Sequence, residues 1–391
     1  MLRSWICTWI GATAALLIAM RVATLLHATG EFRHLNNELA HTGRCHREQA
    51  PHRGFEDFAV FTGGEIVALS ADHAHFAFRF GVSMRQRLMA GQHRVVARVL
   101  RGGTWRSFTL HGHPTTDFAP HGLAAWGKFG SRRARLLVVN HRTTHDTLEL
   151  FAATSRSAAV HLSSLSHPLL WNVNDCSFAD GASVVYCTNW RSYETGTIMD
   201  AVELYGQQPW SNVVGCRLST ADGAPPVCEI AAHGLAMANG IEVQGELVFV
   251  VASTEPAIHV YTRRSGGGGS GLGLELAYKM ATRPACDNLV WDGTSLLAAC
   301  HARALTFVAY SKAPRQRHAP CEVLRFDDVL NTSRRAASRG GVATTYPTTI
   351  GTTVYVDSVG DEFSACSVAA VVKATLWLGS VHDEGMLRCE L

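Results

Sequence analysis

Charge is scarce in this chain of 391 residues: Asp, Glu, Lys and Arg make up 17%, and 35 basic against 32 acidic side chains leave a net +3. There is no long basic run, so the electrostatic footprint of a nucleic-acid-binding surface is missing and nucleic acid is not an expected partner. The sequence has no G-x-S-x-G nucleophile elbow and no H-E-x-x-H zinc-protease motif, so a hydrolase built on it has to work with a metal and water. The Gly/Ser stretch 265–273 is not followed by Lys-Ser or Lys-Thr, which reads as a flexible hairpin loop and not a phosphate cradle. Long helical periodicity is absent after residue 40, leaving an all-β chain. Its hydrophobic content of 47% is ample for a packed core.

What is present is a repeat. Glu56-Asp57, His121, Asn174-Asp175, Asn239, Asp287-Asn288 and, more loosely, Cys366-Ser367 each head an apolar alternation, a Gly-containing turn and a second apolar strand. The gaps between these heads are 65, 53, 65, 48 and 79 residues, the last lengthened by an Arg/Ala/Ser/Gly-rich insertion at 332–346. Irregular repeats of this length, each a set of hairpins, are the pattern of a propeller, here with six blades. One polar residue at the same phase of every blade sends those side chains to the central channel.

The N-terminus differs from the rest. Arg3 precedes an apolar run from Trp5 to Met20, about 24 Å as a helix against a hydrocarbon core of ~30 Å. Residues 1–28 therefore read as a signal peptide or signal-anchor helix, 29–44 as a linker and 45–391 as the propeller. A membrane or lipid surface is an expected partner of that helix, and the expected location is the secretory pathway, facing the lumen or the outside. Eleven cysteines agree with an oxidising route. Cys45 and Cys389 lie where a propeller must join its first and last strands, and a bridge between them closes a loop worth about 5–6 kcal/mol in the chain-entropy model. Cys216 and Cys228 flank a Gly-Ala-Pro-Pro turn and either pair across it or remain reduced and buried. Asn331 opens the only glycosylation sequon, Asn331-Thr332-Ser333.

Glu, Asp and Asn oxygens are hard ligands suited to calcium. In the contiguous pairs Glu56-Asp57 and Asn174-Asp175, neighbouring side chains can reach different levels of a channel and serve two stacked ions. The plain alternative is that such residues cap the turns before strands. His121 and His141, at strand ends, are candidate acid–base groups or simply buried polar residues.

Phe118-Ala119-Pro120-His121-Gly122, Leu136–His141, Asn174-Asp175, Ala238-Asn239-Gly240-Ile241, Asp287-Asn288, Ile258–Tyr261, Ala299-Cys300-His301 and the terminal Cys389-Glu390-Leu391 together resemble the paraoxonase/arylesterase family. The resemblance runs from about Cys45 to Leu391. It implies a six-bladed propeller that holds two calcium ions and hydrolyses carboxylic esters and lactones. Glu56, Asn174, Asn239, Asp287 and Asn288 match the ligands of a catalytic calcium. Asp57, Asp175 and the main-chain oxygen of Leu123 match those of a structural one. His121 and His141 match a histidine dyad, Cys45 and Cys389 a closing disulfide, and Cys300 a cysteine left unpaired. Met237, Leu305–Val308 and Ser70–Phe78 depart from the family pattern, so the pocket wall is its own. Two other functions are open to such a chain: a gluconolactonase-like propeller lactonase, and a non-catalytic, membrane-tethered propeller that binds a partner.

Overall fold

The computed structural model describes residues 2–36, 44–70, 95–114, 117–218, 225–264, 271–330 and 350–391. The sequon at Asn331, the insertion at 332–346, most of Ser70–Phe78 and most of the Gly/Ser loop lie outside these residues.

Strands dominate, and burial sorts them. Val184–Asn189 is buried along its whole length, whereas Thr104–His111 alternates exposed and buried positions. A strand covered on both faces reads as a continuous apolar run, and one covered on a single face alternates. Hydrogen bonding groups the strands into four stand-alone four-stranded sheets and one eight-stranded sheet. The expected six separate blades are corrected here. Two four-stranded meanders merge because Thr109–His111 pairs in parallel with Ala158–Val160. The first strands of the meanders are Phe55–Val60, Pro120–Trp126, Val173–Ala179, Ala238–Gln244, Cys286–Trp291 and Cys366–Val372. Each packs against the next, and the last packs against the first, around the channel.

Every one of these strands has a register irregularity at its head. The breaks fall between Phe55 and Phe58, Pro120 and Leu123, Val173 and Cys176, Ala238 and Ile241, Cys286 and Leu289, and Cys366 and Val368. A β-bulge leaves residues out of the ladder and re-aims their side chains. The residues inside the breaks are Glu56-Asp57, His121-Gly122, Asn174-Asp175, Asn239-Gly240, Asp287-Asn288 and Ser367. Two glycines let the heads approach closely. A Cβ on Gly122 would lie 2.4 Å from the Asn174 carbonyl oxygen, and one on Gly240 would lie 2.5 Å from the Asn288 Cα.

The closing sheet takes strands from both ends of the chain. Cys45–Arg53 pairs with Glu384–Glu390, placing Cys45 opposite Cys389. The two form a disulfide with a Cα–Cα distance of 4.1 Å, just under the expected ~4.4–6.8 Å span. Four further disulfides join Cys176 to Cys187, Cys216 to Cys228, Cys286 to Cys300 and Cys321 to Cys366. The Cys216–Cys228 alternative thus resolves as a bond. The expectation that Cys300 stays unpaired is overturned: Cys286 stands directly opposite it in the ladder. Five disulfides suit folding in an oxidising, secretory environment.

The helices are α1 (Leu2–Ala28), α2 (Ile198–Gly206) and α3 (Ala304–Lys312). Among the described residues no helix is long and apolar enough to cross a membrane, so the expected membrane contact of the N-terminal helix is without support. Helices α2 and α3 have nine residues each, too short to leave a clear period in the sequence.

Candidate active site

The heads of the first strands bring Glu56, Asp57, His121, Asn174, Asp175, Asn239, Asp287 and Asn288 into the buried centre of the ring. The amides are oriented. Asn288 Nδ2 donates to the Glu56 carbonyl at 3.2 Å and to Glu56 Oε1 at 3.0 Å, and Asn239 Nδ2 donates to Ser253 Oγ at 3.0 Å. With the NH2 groups of Asn239 and Asn288 committed, the oxygens of these two face elsewhere. Asn174, Asn239 and Asn288 Oδ1 are buried with no hydrogen-bond partner among the described residues. Leaving a buried acceptor unsatisfied costs about 1–3 kcal/mol. Such acceptors at the strand heads that also carry the Glu56 and Asp287 carboxylates have the chemistry of a hard-cation donor set, and the residues present fit calcium. Among the described residues no three His, Cys, Asp or Glu side chains form a metal-holding group by themselves; here amides make up the majority of the set.

Below them lie Asp57 and Asp175. Asp57 accepts from Phe58 N–H at 2.7 Å and Leu123 N–H at 2.5 Å; Asp175 accepts from Cys176 N–H at 2.7 Å and Ile241 N–H at 3.0 Å. Burial, more than these hydrogen bonds can offset, pushes Asp57 up to about 7. Burial and the neighbouring Asp57 charge push Asp175 well above the ordinary carboxylate range. Two carboxylates in one dry place call for a positive charge between them. Leu123 was expected to contribute its carbonyl oxygen to this level; its contact with Asp57 is through its N–H.

The two histidines form part of a longer chain of contacts. His141 Nδ1 lies 2.9 Å from Asp146 Oδ1, His141 Nε2 lies 3.2 Å from His121 Nδ1, and His121 Nε2 lies 3.5 Å from Glu56 Oε2. Asp146 is itself held by the Val173 N–H, 2.9 Å from Oδ2. Sequence reasoning missed Asp146, and its place five residues after His141, across a hairpin, was the available signal. It also missed the contact made by His301, the last residue of Ala299-Cys300-His301. His301 Nε2 lies 2.9 Å from Asp287 Oδ2, and its ring stacks on Phe307 at 3.6 Å and 6°.

A cavity of about 810 Å³ opens above Asn239 and His301, walled by Trp190, Leu204, Met237, Phe307 and Val308. An apolar chamber with a few polar groups at its floor is the form of a small-molecule site. Met237, a departure from the family pattern, takes the left-handed conformation at φ 58° and lines it. A second cavity of about 670 Å³ lies at the far ends of the first strands and reaches Asp57 and Asp175.

A closed ring of strands around a polar channel defines a β-propeller. The family model for arylesterase matches residues 106–391, and the chain belongs to the arylesterase family. No curated protein matches it. Solved structures similar to it include a periplasmic gluconolactonase of Pseudomonas aeruginosa, 10% identical over 83% of this chain and 77% of that one, TM-score 0.44. Others are an aldose sugar dehydrogenase of Streptomyces coelicolor (13%, 88% and 97%, TM-score 0.43) and a luciferin-regenerating enzyme (9%, 89% and 95%, TM-score 0.48). At TM-scores below 0.5 these likenesses carry nothing about activity.

Proposed function

We propose that the protein is a calcium-dependent hydrolase of carboxylic esters and lactones, with two calcium ions held in the channel that the first strands enclose. The observation that carries this reading is the set of three partnerless amide oxygens beside Glu56 and Asp287, next to a histidine relay, in a member of the arylesterase family. Glu56, Asn174, Asn239, Asp287 and Asn288 would hold the upper ion, and Asp57, Asp175 and the Leu123 backbone the lower. When bound, the upper ion supplies positive charge for the substrate's carbonyl oxygen.

The tautomers follow from Asp146. Its carboxylate accepts the His141 Nδ1 proton, which leaves His141 Nε2 as an acceptor for the His121 Nδ1 proton. His121 Nε2 is then the basic atom on the channel side. It takes a proton from water as the water oxygen bonds to the carbonyl carbon. It returns that proton to the leaving alkoxide as the ester C–O bond breaks, giving an acid and an alcohol, or one hydroxy acid from a lactone. The apolar chamber would seat the acyl or lactone body. Five disulfides support delivery through an oxidising compartment, with residues 1–28 as the address and Asn331 as a glycan acceptor.

The test is Asn239→Ala and Asp287→Ala against a panel of aryl esters and aliphatic lactones. Both variants should stay folded, held by the lower ion, and lose turnover. Wild-type turnover by either variant would overturn the assignment.

A further inference from the structure

Helix α3 forms one wall of the 810 Å³ cavity and has no cap of its own: Arg303, at its N-cap position, makes no side-chain capping hydrogen bond. The first N–H groups of a helix lack intrahelical acceptors and need partners elsewhere. Here they come from the segment that follows α1. Glu31 Oε1 accepts from Leu305 N–H at 2.7 Å and Thr306 N–H at 3.3 Å, and Oε2 accepts from the Thr306 hydroxyl at 2.9 Å. The Thr29 carbonyl accepts from Ala304 N–H at 2.9 Å. A carboxylate at this end also meets the positive pole of the helix dipole.

The segment is fastened on its far side. Arg33 pairs with Glu322 at 2.7 Å, and its carbonyl accepts from the Arg303 guanidinium at 3.0 Å. Gly30 lies so close to the propeller that a Cβ on it would sit 2.5 Å from the Ala302 carbonyl oxygen. The expected linker is thus, over residues 29–33, a strap packed on the propeller. What it holds leads into the site. One turn into α3, Phe307 stacks on His301, and His301 meets Asp287.

We propose that residues 29–33 are a working part of the active-site architecture, with Glu31 a positioning residue that sets α3 and, through Phe307, holds His301 against Asp287. The kinetic consequence rests on the hydrolase reading above; the capping consequence does not. Losing the cap lets the first turn of α3 fray, which widens the chamber and frees the Phe307 ring to leave His301. Substrate seating suffers first, because no group that handles the proton has moved.

The experiment uses the full chain with Glu31→Ala and Glu31→Gln, read by lactone kinetics and by hydrogen exchange at the Leu305 and Thr306 amides. Glu31→Ala should raise KM about five- to tenfold with kcat within about threefold, and speed exchange at both amides by about tenfold, the loss of one to two hydrogen bonds. Glu31→Gln, whose amide oxygen still accepts, should recover most of both. A purely structural strap would lower the melting temperature of Glu31→Ala while leaving KM and the two amides unchanged, and that result overturns the proposal. Faster exchange in Glu31→Ala with unchanged KM overturns the link to the site while leaving the cap. If the wild-type chain hydrolyses nothing in the panel, the hydrolase reading fails and the exchange arm alone decides the cap.

Discussion

Cys286 and Cys300 face each other across one pair of strands, and the residues that follow them, Asp287 and His301, meet at 2.9 Å. The disulfide therefore pins the strand pair one residue from the contact between His301 and a proposed calcium ligand. Its sequence separation of 14 closes a loop worth about 3 kcal/mol in the chain-entropy model. The double variant Cys286→Ala/Cys300→Ala should melt several degrees lower and need more calcium for half-maximal activity. Calorimetry and a calcium titration check both; an unchanged calcium requirement would show that the bond steadies only the fold.

The relay makes a second expectation. His121→Gln should lower kcat by about 10²–10⁴, the range for a lost general base. Asp146→Asn keeps the shape but removes the acceptor that sets the His141 tautomer, and should cost a comparable factor, as tautomer loss does in serine proteases. Steady-state kinetics against one lactone decides. Full activity in Asp146→Asn would detach the aspartate from the mechanism.

A third concerns acid stability. Glu149 is buried, which raises its pKa, but hydrogen bonds from Ser164, Thr147, Arg142 and Asn140 outweigh this and hold it at about 2. A depressed carboxyl stabilises the fold above its unfolded value of ~4.3, and the contribution is lost as pH falls toward the folded value. The wild-type melting temperature should therefore drop more steeply between pH 5 and pH 2 than that of Glu149→Gln. Parallel slopes in thermal melts would remove Glu149 from the acid response.

The heads of the repeat were legible because the chemistry and the phase agreed: Glu56, Asn174, Asn239 and Asp287 are all polar residues preceding apolar strands. What composition and spacing do not carry is the bulge at each head, which turns a neighbouring pair such as Asp287-Asn288 toward the channel. Nor do they carry the parallel pairing of Thr109–His111 with Ala158–Val160, since an edge has no sequence signature of its partner. Cys300 was misjudged by likeness to a family; its partner Cys286 is visible only once the strands are in register. Asp146 and His301 were hidden because a carboxylate or imidazole at a strand end looks the same whether it bonds its own backbone or reaches a neighbour.

Metal removal should affect more than turnover. Asp57 and Asp175 are buried together and burial pushes both carboxyls up in pKa, so without a cation between them they would stay buried only by taking up protons. A ligand at a hundred times its dissociation constant stabilises by about 2.7 kcal/mol. Chelation should lower the melting temperature by several degrees, and Asp57→Asn should shrink that difference. A chelated wild-type protein that melts unchanged would rule out the structural ion.

The central claim is tested most directly by lactone hydrolysis measured on one sample before chelation, after chelation and after calcium is restored. The account predicts turnover, then its loss, then its return as calcium is added back. Turnover that persists in excess chelator would contradict it.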